Sequence, residues 1–468
     1  MSRSNSTGRG EPKRLLGNTA IPAGAIITRE QAQSLIGRVV RMSKADEVIV
    51  GVGGGYQSDV RFANNQMSTA GGVSNGQVSV TSVFGKKHAT TATNDLSDES
   101  LKRVVEQSEA LTKLSPDDPE WLPGLPSQTY MPGRGYVEAT AEVTATERAR
   151  AALTALEPAR KAGDLNAAGF IIVSAGANAL GNSKGLFAYN RATIANYTVT
   201  VRTADGTGSG WAGAEHPDWR QIDFRKLSAT AIEKARLSRN PVAIEPGRYT
   251  VILEPQAVGD LVQLIGGSLG ARGADEGRSA FTKAGGGNKM GEKIVDQRVT
   301  IISDPFDSQL LAQPYDGQGL PLSRQAWIEN GVLKQLAYSR FWAQKQGKVA
   351  NGGATSLKMI GGTTSTADMI KSTPRGILVT RLWYLRQVDP RTILFTGLTR
   401  DGTFLIENGK ITKAIKNFRF NESPLFMLNN VEAIGPSVRI AGTEGGGPVV
   451  MPTLKVKDFN FTSLSDAV

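Results

Sequence analysis

The sequence predicts an α+β protein, with one or more small N-terminal α+β domains built on an antiparallel sheet and a larger β-rich C-terminal domain of antiparallel strands. Its 468 residues include 53 glycines and 21 prolines but only 6% aromatic residues, which favours turns and short strands over a helical bundle. Short runs alternate between apolar and polar residues, as in half-buried strands. Asn-Gly pairs at 330–331 and 408–409 are typical of β-hairpin turns.

The N-terminal α+β domain is expected over residues 21–114, after a disordered tail at 1–20. Thr28 and Gln31 form a predicted capping box, which starts a helix that reaches about Lys44. Ser97 caps a second predicted helix. Between the helices the alternating runs, broken by glycine and asparagine, predict an antiparallel meander with strands at 47–52, 58–63, 78–84 and 88–93.

Two further domains are expected beyond a proline-rich segment at 115–135, which predicts a linker or a long draped loop because proline fixes φ and removes a donor. The middle α+β domain covers 136–246 and begins with a helix that Pro158 should end or bend. The β-rich domain covers 247–468. Within it, turns are predicted at 389–390, 401–402 and 408–409 between successive antiparallel strands.

Composition excludes several classes of protein. The chain has no cysteine, so disulfides, thiolate nucleophiles and cysteine-bound metals are ruled out. No run of about 18 apolar residues predicts a membrane span, and the N-terminus lacks the apolar core of a signal peptide, so we expect a cytoplasmic protein without a membrane partner. The formal charge of +11 is spread along the chain, which does not favour specific nucleic-acid binding.

Two glycine motifs resemble functional sites but stand in the wrong context. Gly208, Gly210 and Gly213 match a dinucleotide-binding pattern, yet the preceding run alternates and Pro217 falls where a helix should grow. Residues 266–270 match the G-x-S-x-G elbow around a nucleophilic Ser268, yet no histidine follows them in the chain. We interpret both as structural loops.

The sequence gives little support for a metal site or for acid–base catalysis. The only histidines, His88 and His216, stand far apart, and a zinc site generally needs three or four His, Cys or carboxylate ligands. The acidic pairs at 275–276 and at 304 and 307 are typical of solvated or turn-capping loops. No catalytic residue and no metal ligand are therefore assigned.

Six segments recur along the chain in a recognisable order, at residues 61–65, 208–211, 278–304, 327–331, 405–410 and 452–468. As an ordered set they resemble the TldD/PmbA family, which is also described as a family of putative DNA gyrase modulators. The resemblance covers residues 28–468 and rests on the order of the segments rather than on one motif.

The resemblance implies a zinc peptidase whose active member bears a His-Glu-x-x-x-His helix and a cysteine ligand, paired with an inactive paralogue around a cavity in which unstructured peptides are cut. In this chain the metal helix should fall at 264–269, which reads Leu-Ile-Gly-Gly-Ser-Leu. The chain thus resembles the PmbA (TldE-type) member: no cofactor is expected in it, and zinc is expected in a TldD-type partner. A homodimer is expected when that partner is absent.

The same comparison suggests where a peptide would lie. Because glycine lets a peptide backbone come close, one hypothesis is that the region 266–273 faces the shared cavity. The alternative is that these glycines only form a turn. The residues expected to line it are Gly266, Gly267, Ser268, Gly270 and Arg272.

Two other functions stay open at this stage. A DNA- or gyrase-associated modulator is suggested by the sequence pI near 9.6 and by the description of the family. A stand-alone hydrolase of altered mechanism would need Ser268 or an acid to replace the metal.

Overall fold

A computed structural model of the chain describes residues 26–442 and 447–465. The tail expected at 1–20 lies outside these residues. Within the described ranges no helix combines the length and the apolar character needed to cross a bilayer.

The N-terminal half is built around one six-stranded antiparallel sheet in the order β3-β2-β1-β4-β5-β6. The pairing of β1 with β4 joins the segment before the proline-rich stretch to the segment after it, so both predicted α+β segments share this sheet. Its strands are β1 Glu47–Ala63, β2 Gln66–Phe84, β3 Lys87–Thr93, β4 Leu165–Asn182, β5 Phe187–Thr203 and β6 Ser209–His216. The helices of this half are α1 Arg29–Met42, α2 Asp98–Leu114, α3 Glu138–Ala141, α4 Ala145–Ala162 and α5 Phe224–Leu237.

Local signals placed the helices well. The capping box at Thr28 is present, with both reciprocal hydrogen bonds to Gln31, although α1 ends at Met42 rather than near Lys44. Pro158 does not end α4, which continues to Ala162 and stops at Gly163 with φ of 74°. Burial of its alanine-rich face against the sheet holds this helix together despite the lost backbone hydrogen bond.

The predicted break in the first meander strand is wrong. Residues 47–63 form one strand, and the glycines at 53–55 lie inside it. A Cβ added at Gly55 would lie 2.3 Å from the carbonyl oxygen of Ala175 on β4. Glycine here permits a close approach of two strands instead of marking a turn.

The C-terminal half contains an eleven-stranded sheet that is mostly antiparallel, as predicted, with parallel pairings of β7 with β12 and of β11 with β17. Because β7 also pairs with β17, five strands close into a ring in the order β17-β15-β13-β12-β7. The strands are β7 Gly247–Leu253, β8 Ile301–Ser303, β9 Gln325–Glu329, β10 Val332–Leu333, β11 Leu357–Met359, β12 Arg375–Asp389, β13 Leu394–Glu407, β14 Lys410–Ala414, β15 Phe418–Glu422, β16 Val431–Arg439 and β17 Val449–Leu464. The helices are α6 Pro255–Val262, α7 Ala271–Asp275, α8 Arg340–Lys345, α9 Thr366–Lys371 and α10 Pro424–Asn429.

The turns in this half were predicted with mixed success. Both Asn-Gly pairs join strands and have positive φ, 51° and 77° at Asn330 and Gly331 and 50° and 75° at Asn408 and Gly409. The predicted turn at 401–402 is wrong, because both residues lie inside β13. Their positive φ marks an irregularity where β13 passes Thr380 of β12, and the side chain of Asp401 is buried there.

The proline-rich segment has no helix or strand and is draped over both halves. Its Gly124 donates to Glu47 of β1 at 2.6 Å, and Asn182 of β4 donates to the carbonyl of Leu125 at 2.8 Å. The hydroxyl of Tyr130 donates to the carbonyl of Gly319 at 2.6 Å. The segment is therefore held by specific contacts on both sides.

Candidate functional site

The chain between α6 and α7 forms one side of a groove of about 780 Å³. A 3₁₀ turn, Gln263–Ser268, follows α6 directly, and Gly270 then caps α7. Of the residues expected from the sequence to line a cavity, four border this groove: Gly266, Gly267, Ser268 and Gly270. The other lining residues are Gln263, Leu264, Gly273, Arg278, Ser279, Ala354, Thr355, Ser356, Leu357, Gln387, Pro390, Phe395 and Val449.

The groove glycines face open space rather than packed neighbours. A Cβ added at Gly267 or at Gly270 would meet no atom within 4 Å, and at Gly266 it would make only an ordinary contact with Leu357 at 3.6 Å. None of the three has a positive φ, so a turn does not require glycine here. Side chains at these positions would project into the groove, and their absence keeps it open.

The opposite wall comes from distant parts of the chain. The end of the β12–β13 hairpin contributes Gln387, Pro390 and Phe395, while Leu357 is the first residue of β11 and Ser356 directly precedes it. The side-chain oxygen of Ser356 is buried and finds no hydrogen-bond partner within the described part of the chain. These wall residues lie roughly a hundred positions from the glycines, and no local signal in the sequence joins them.

Polar contacts fix the glycine side of the groove. The Ser279 hydroxyl donates to the carbonyl of Ser268 at 3.0 Å, and Gln263 donates to the carbonyl of Asp260 at 3.2 Å. Among the lining residues that the structure describes, Arg278 alone carries a charge, and it pairs with Glu276 outside the groove. The groove is therefore nearly neutral.

Arg272 does not line this groove. Its guanidinium donates to both carboxylate oxygens of Glu120 at 2.7 and 2.8 Å and to Glu276 at 3.0 Å. Because Glu120 belongs to the proline-rich segment, this bidentate pair ties that segment to the C-terminal half. Arg272 therefore makes a structural contact and does not occupy the position in the groove that was expected from the sequence.

The histidines lie on the N-terminal sheet, away from the groove. His88 Nε2 lies 3.1 Å from Asp118 Oδ2, and its ring stacks on Trp121 with centroids 4.3 Å apart. His216 ends β6, where its Nδ1 accepts from the Asp218 amide at 2.9 Å. Burial lowers the pKa of His216, and the nearby Arg439 lowers it further. Neither ring borders the groove, so Ser268 has no histidine beside it.

The carboxylates near the groove already accept protein hydrogen bonds. Asp260 accepts from the Leu382 amide at 3.0 Å and from Gln256 at 2.9 Å. Asp275 accepts from Asn288 at 2.6 Å and from the Trp342 indole at 2.7 Å. Within residues 26–442 and 447–465 no group of three or more His, Cys, Asp or Glu side chains could hold a metal ion. The donor set found there does not fit a zinc site.

The other acidic residues noted in the sequence also have structural partners. Asp304 accepts from the amide of Phe306 at 2.9 Å. Asp307 pairs with Lys358 at 2.7 Å; burial acts to raise the pKa of Asp307, but hydrogen bonds from Lys358 and the backbone outweigh it and lower that pKa. A salt bridge and a turn account for these acids.

The glycines of the dinucleotide-like motif serve helix packing. Gly210 and Gly213 lie in β6, and Gly208 directly precedes it. A Cβ at Gly210 would lie 2.2 Å from the carbonyl oxygen of Ala231 on α5. The motif thus lets α5 pack closely on the strand, in agreement with the structural interpretation of the sequence.

Family models match three consecutive parts of the chain. Residues 50–112 match PmbA/TldA metallopeptidase domain 1, residues 138–239 match the PmbA/TldA metallopeptidase central domain, and residues 246–463 match the PmbA/TldA metallopeptidase C-terminal domain. The gaps between these matches contain the proline-rich segment and the residues that lead into β7.

Curated relatives include a metalloprotease of Methanothermobacter thermautotrophicus, 27% identical over 257 residues. That match covers 51% of this chain and 53% of the relative, and a TldD homolog of Buchnera aphidicola is likewise matched over 47% of its length, so the chain spans about half the length of these relatives. The metalloprotease PmbA of Escherichia coli O157:H7 is 21% identical over 82% of this chain and 86% of its own.

Solved structures share the fold over nearly the whole chain. TldE from Thermococcus kodakarensis has a TM-score of 0.81 at 18% identity, covering 92% of this chain and 99% of its own. A putative modulator of a DNA gyrase from Thermotoga maritima has a TM-score of 0.79, also at 18% identity, with coverages of 92% and 100%.

Proposed function

Because this chain belongs to the PmbA/TldD metallopeptidase family, we propose that it is a non-catalytic subunit of a peptidase, which completes the chamber around a zinc-bearing paralogue. The substrate proposed for the complex is an unstructured peptide. In this proposal the paralogue supplies the zinc ion and the general base, while this chain shapes the space in which the peptide lies.

The chemistry of the donor set carries the proposal. Zinc hydrolysis requires ligands that hold the ion and a carboxylate that accepts a proton from bound water. At 264–269, where the active members are expected to bear their metal helix, the structure has a 3₁₀ turn of Leu, Ile, Gly and Ser residues. The carboxylates beside it, Asp260 and Asp275, are held by backbone, amide and indole donors.

The groove supports a role in holding peptide. Its open glycines leave main-chain atoms accessible, and its lining carries a single charge, so it suits a peptide backbone of varied sequence better than one particular side chain. Recognition through the backbone is what an unstructured substrate requires.

Metal analysis and reconstitution test the non-catalytic role. The full chain purified alone should retain no stoichiometric zinc and should not cleave a fluorescently labelled unfolded peptide. Added to a zinc-bearing paralogue, it should restore cleavage that neither protein shows alone. One tightly held zinc per isolated chain, or cleavage by the isolated chain, would refute the proposal.

A substitution at Gly267 tests the groove. Gly267→Trp should fold normally, because a Cβ there meets no atom within 4 Å, but its indole should fill part of the groove and slow peptide cleavage by the reconstituted complex. Gly267→Ala is the matched control and should retain cleavage. If the tryptophan variant assembles and cleaves like the unchanged chain, the groove does not hold substrate.

A further inference from the structure

A second cavity, of about 520 Å³, lies where the proline-rich segment meets the N-terminal sheet and the C-terminal half. The sheet contributes Ile49 and Thr81, which pair across β1 and β2. The proline-rich segment contributes residues between 118 and 124, and the C-terminal half contributes 317–318 and 339–341. We call this cavity the second pocket. It shares no lining residue with the groove beside the glycines.

One cation in the second pocket lacks a counter-ion. Arg340 lines the pocket, and its guanidinium donates to the carbonyl of Pro123 at 2.6 Å. Within the described part of the chain its side chain makes no other hydrogen bond and no salt bridge. Burial lowers the pKa of Arg340, and the more distant carboxylates of Glu47 and Asp316 offset this only in part. Because a guanidinium has five N–H donors, most of them remain available to a ligand.

The acids of the second pocket already have partners. Asp118 Oδ2 lies 3.1 Å from His88 Nε2, and Asp118 Oδ1 accepts from the amide of Glu120 at 2.8 Å. Both carboxylate oxygens of Glu120 accept from Arg272. Among the lining residues that the structure describes, Arg340 is therefore the charged one without a charged partner. An anionic ligand could reach its guanidinium without breaking an ion pair of the protein.

We propose that the second pocket binds a small molecule that carries a carboxylate on an apolar body. A carboxylate can accept two parallel N–H bonds from one guanidinium, which gives both energy and orientation. The pocket volume of about 520 Å³ is typical of small-molecule sites. Apolar surface for the rest of the ligand comes from five lining residues, Ile49, Trp121, Leu122, Leu186 and Phe341.

A single carboxylate suits this pocket better than phosphate. Asp118 and Glu120 are held in the wall, and their charges would repel a dianion more strongly than a monoanion. One guanidinium is enough to pair with one carboxylate. That carboxylate can belong to a free organic acid or to the C-terminus of a peptide, since both present the same group.

Isothermal titration calorimetry on the purified full chain tests the role of the carboxylate. N-acetylphenylalanine should bind at least about tenfold more tightly than N-acetylphenylalanine amide, which has the same body without the charge. Arg340→Gln should remove this difference, although its amide can still donate to the carbonyl of Pro123. Arg278→Gln is the matched control and should keep the difference, because Arg278 borders the groove and not the second pocket.

Gly317 provides an independent test of the pocket. A Cβ added at Gly317 would meet no atom within 4 Å, so Gly317→Trp should fold normally. Its indole should fill part of the pocket and weaken the binding of N-acetylphenylalanine about tenfold. Gly317→Ala should bind like the unchanged chain. This pair of variants keeps the test decisive if Arg340→Gln fails to fold.

Two further ligands distinguish the sources of the carboxylate. Phenylpropionate is a free acid without a peptide bond, and the tripeptide Gly-Gly-Phe carries a peptide C-terminus. Binding of phenylpropionate would assign the pocket to free acids, whereas binding of the tripeptide without phenylpropionate would assign it to peptide termini, and either result supports the carboxylate site.

Three outcomes would overturn the proposal. They are equal affinity for the acid and its amide, binding that both Arg340→Gln and Gly317→Trp leave unchanged, and no binding of any of these acids. The readout is binding to the isolated chain, so failure here leaves the proposed peptidase role untouched.

Discussion

The buried carboxylate of Asp401 links the two halves of the molecule, and its removal should be strongly destabilising. Asp401 is 1% exposed and lies in β13 with φ of 55°. It accepts from the Ser209 hydroxyl on β6 at 2.6 Å and forms a salt bridge with Arg381 on β12 at 2.7 Å. Arg400 lies 3.8 Å from the same carboxylate.

Asp401→Ala should lower the free energy of unfolding by about 4 kcal/mol. Removing one partner of a buried ion pair costs about 3–5 kcal/mol, and the low end applies because the side chains of Arg381 and Arg400 are 17% and 24% exposed. Placing alanine at a positive φ adds about 1 kcal/mol. Asp401→Asn keeps the shape and tolerates this φ, so its cost should be about half as large.

Urea unfolding followed by far-ultraviolet circular dichroism measures both variants against the unchanged chain. A double-mutant cycle with Ser209→Ala isolates the hydrogen bond between β6 and β13, with an expected coupling of about 1 kcal/mol. If Asp401→Ala costs less than about 1 kcal/mol, the buried pair does not hold the two halves together.

Three further predictions concern single substitutions at Glu422, Gly210 and Arg272. Burial raises the pKa of Glu422 to about 7, so the free energy of unfolding should fall by up to about 3 kcal/mol as pH rises from about 4.5 to about 7. Urea titrations at several pH values should show that Glu422→Gln abolishes this slope. An unchanged slope would contradict the raised pKa of Glu422. Gly210→Ala should lower the melting temperature, because its Cβ would lie 2.2 Å from the Ala231 carbonyl, whereas Gly267→Ala should not. Arg272→Met should leave peptide cleavage by the reconstituted complex unchanged, since Arg272 lies outside the groove; a marked loss of cleavage would place it in the substrate path.

Features that depend on neighbouring residues were predictable from the sequence. The capping box at Thr28 and the hairpin turns at 330–331 and 408–409 were found as expected, because each depends on backbone preferences and hydrogen bonds within a few residues. The family was also identified from an ordered set of short segments, and the family models confirm it.

Glycine and aspartate were misinterpreted where a distant strand determined their role. The glycines at 53–55 and the pair at 401–402 have the composition of turns, yet both lie inside strands. Gly55 is required by the approach of β4, and Asp401 is held by Ser209 and Arg381. Tertiary contacts override local propensity at such positions.

The chemistry that the chain lacks follows from its composition, because no fold can supply thiols or additional imidazoles that the chain does not contain. The groove beside the glycines of 266–270 depends instead on tertiary contacts, since its opposite wall comes from β11 and the β12–β13 hairpin. The same holds for the open edge of β2 at residues 66–77, which exists because β3 pairs only with Val78–Phe84. Grooves and open edges arise from strand pairing between residues far apart in the chain, which short-range patterns do not encode.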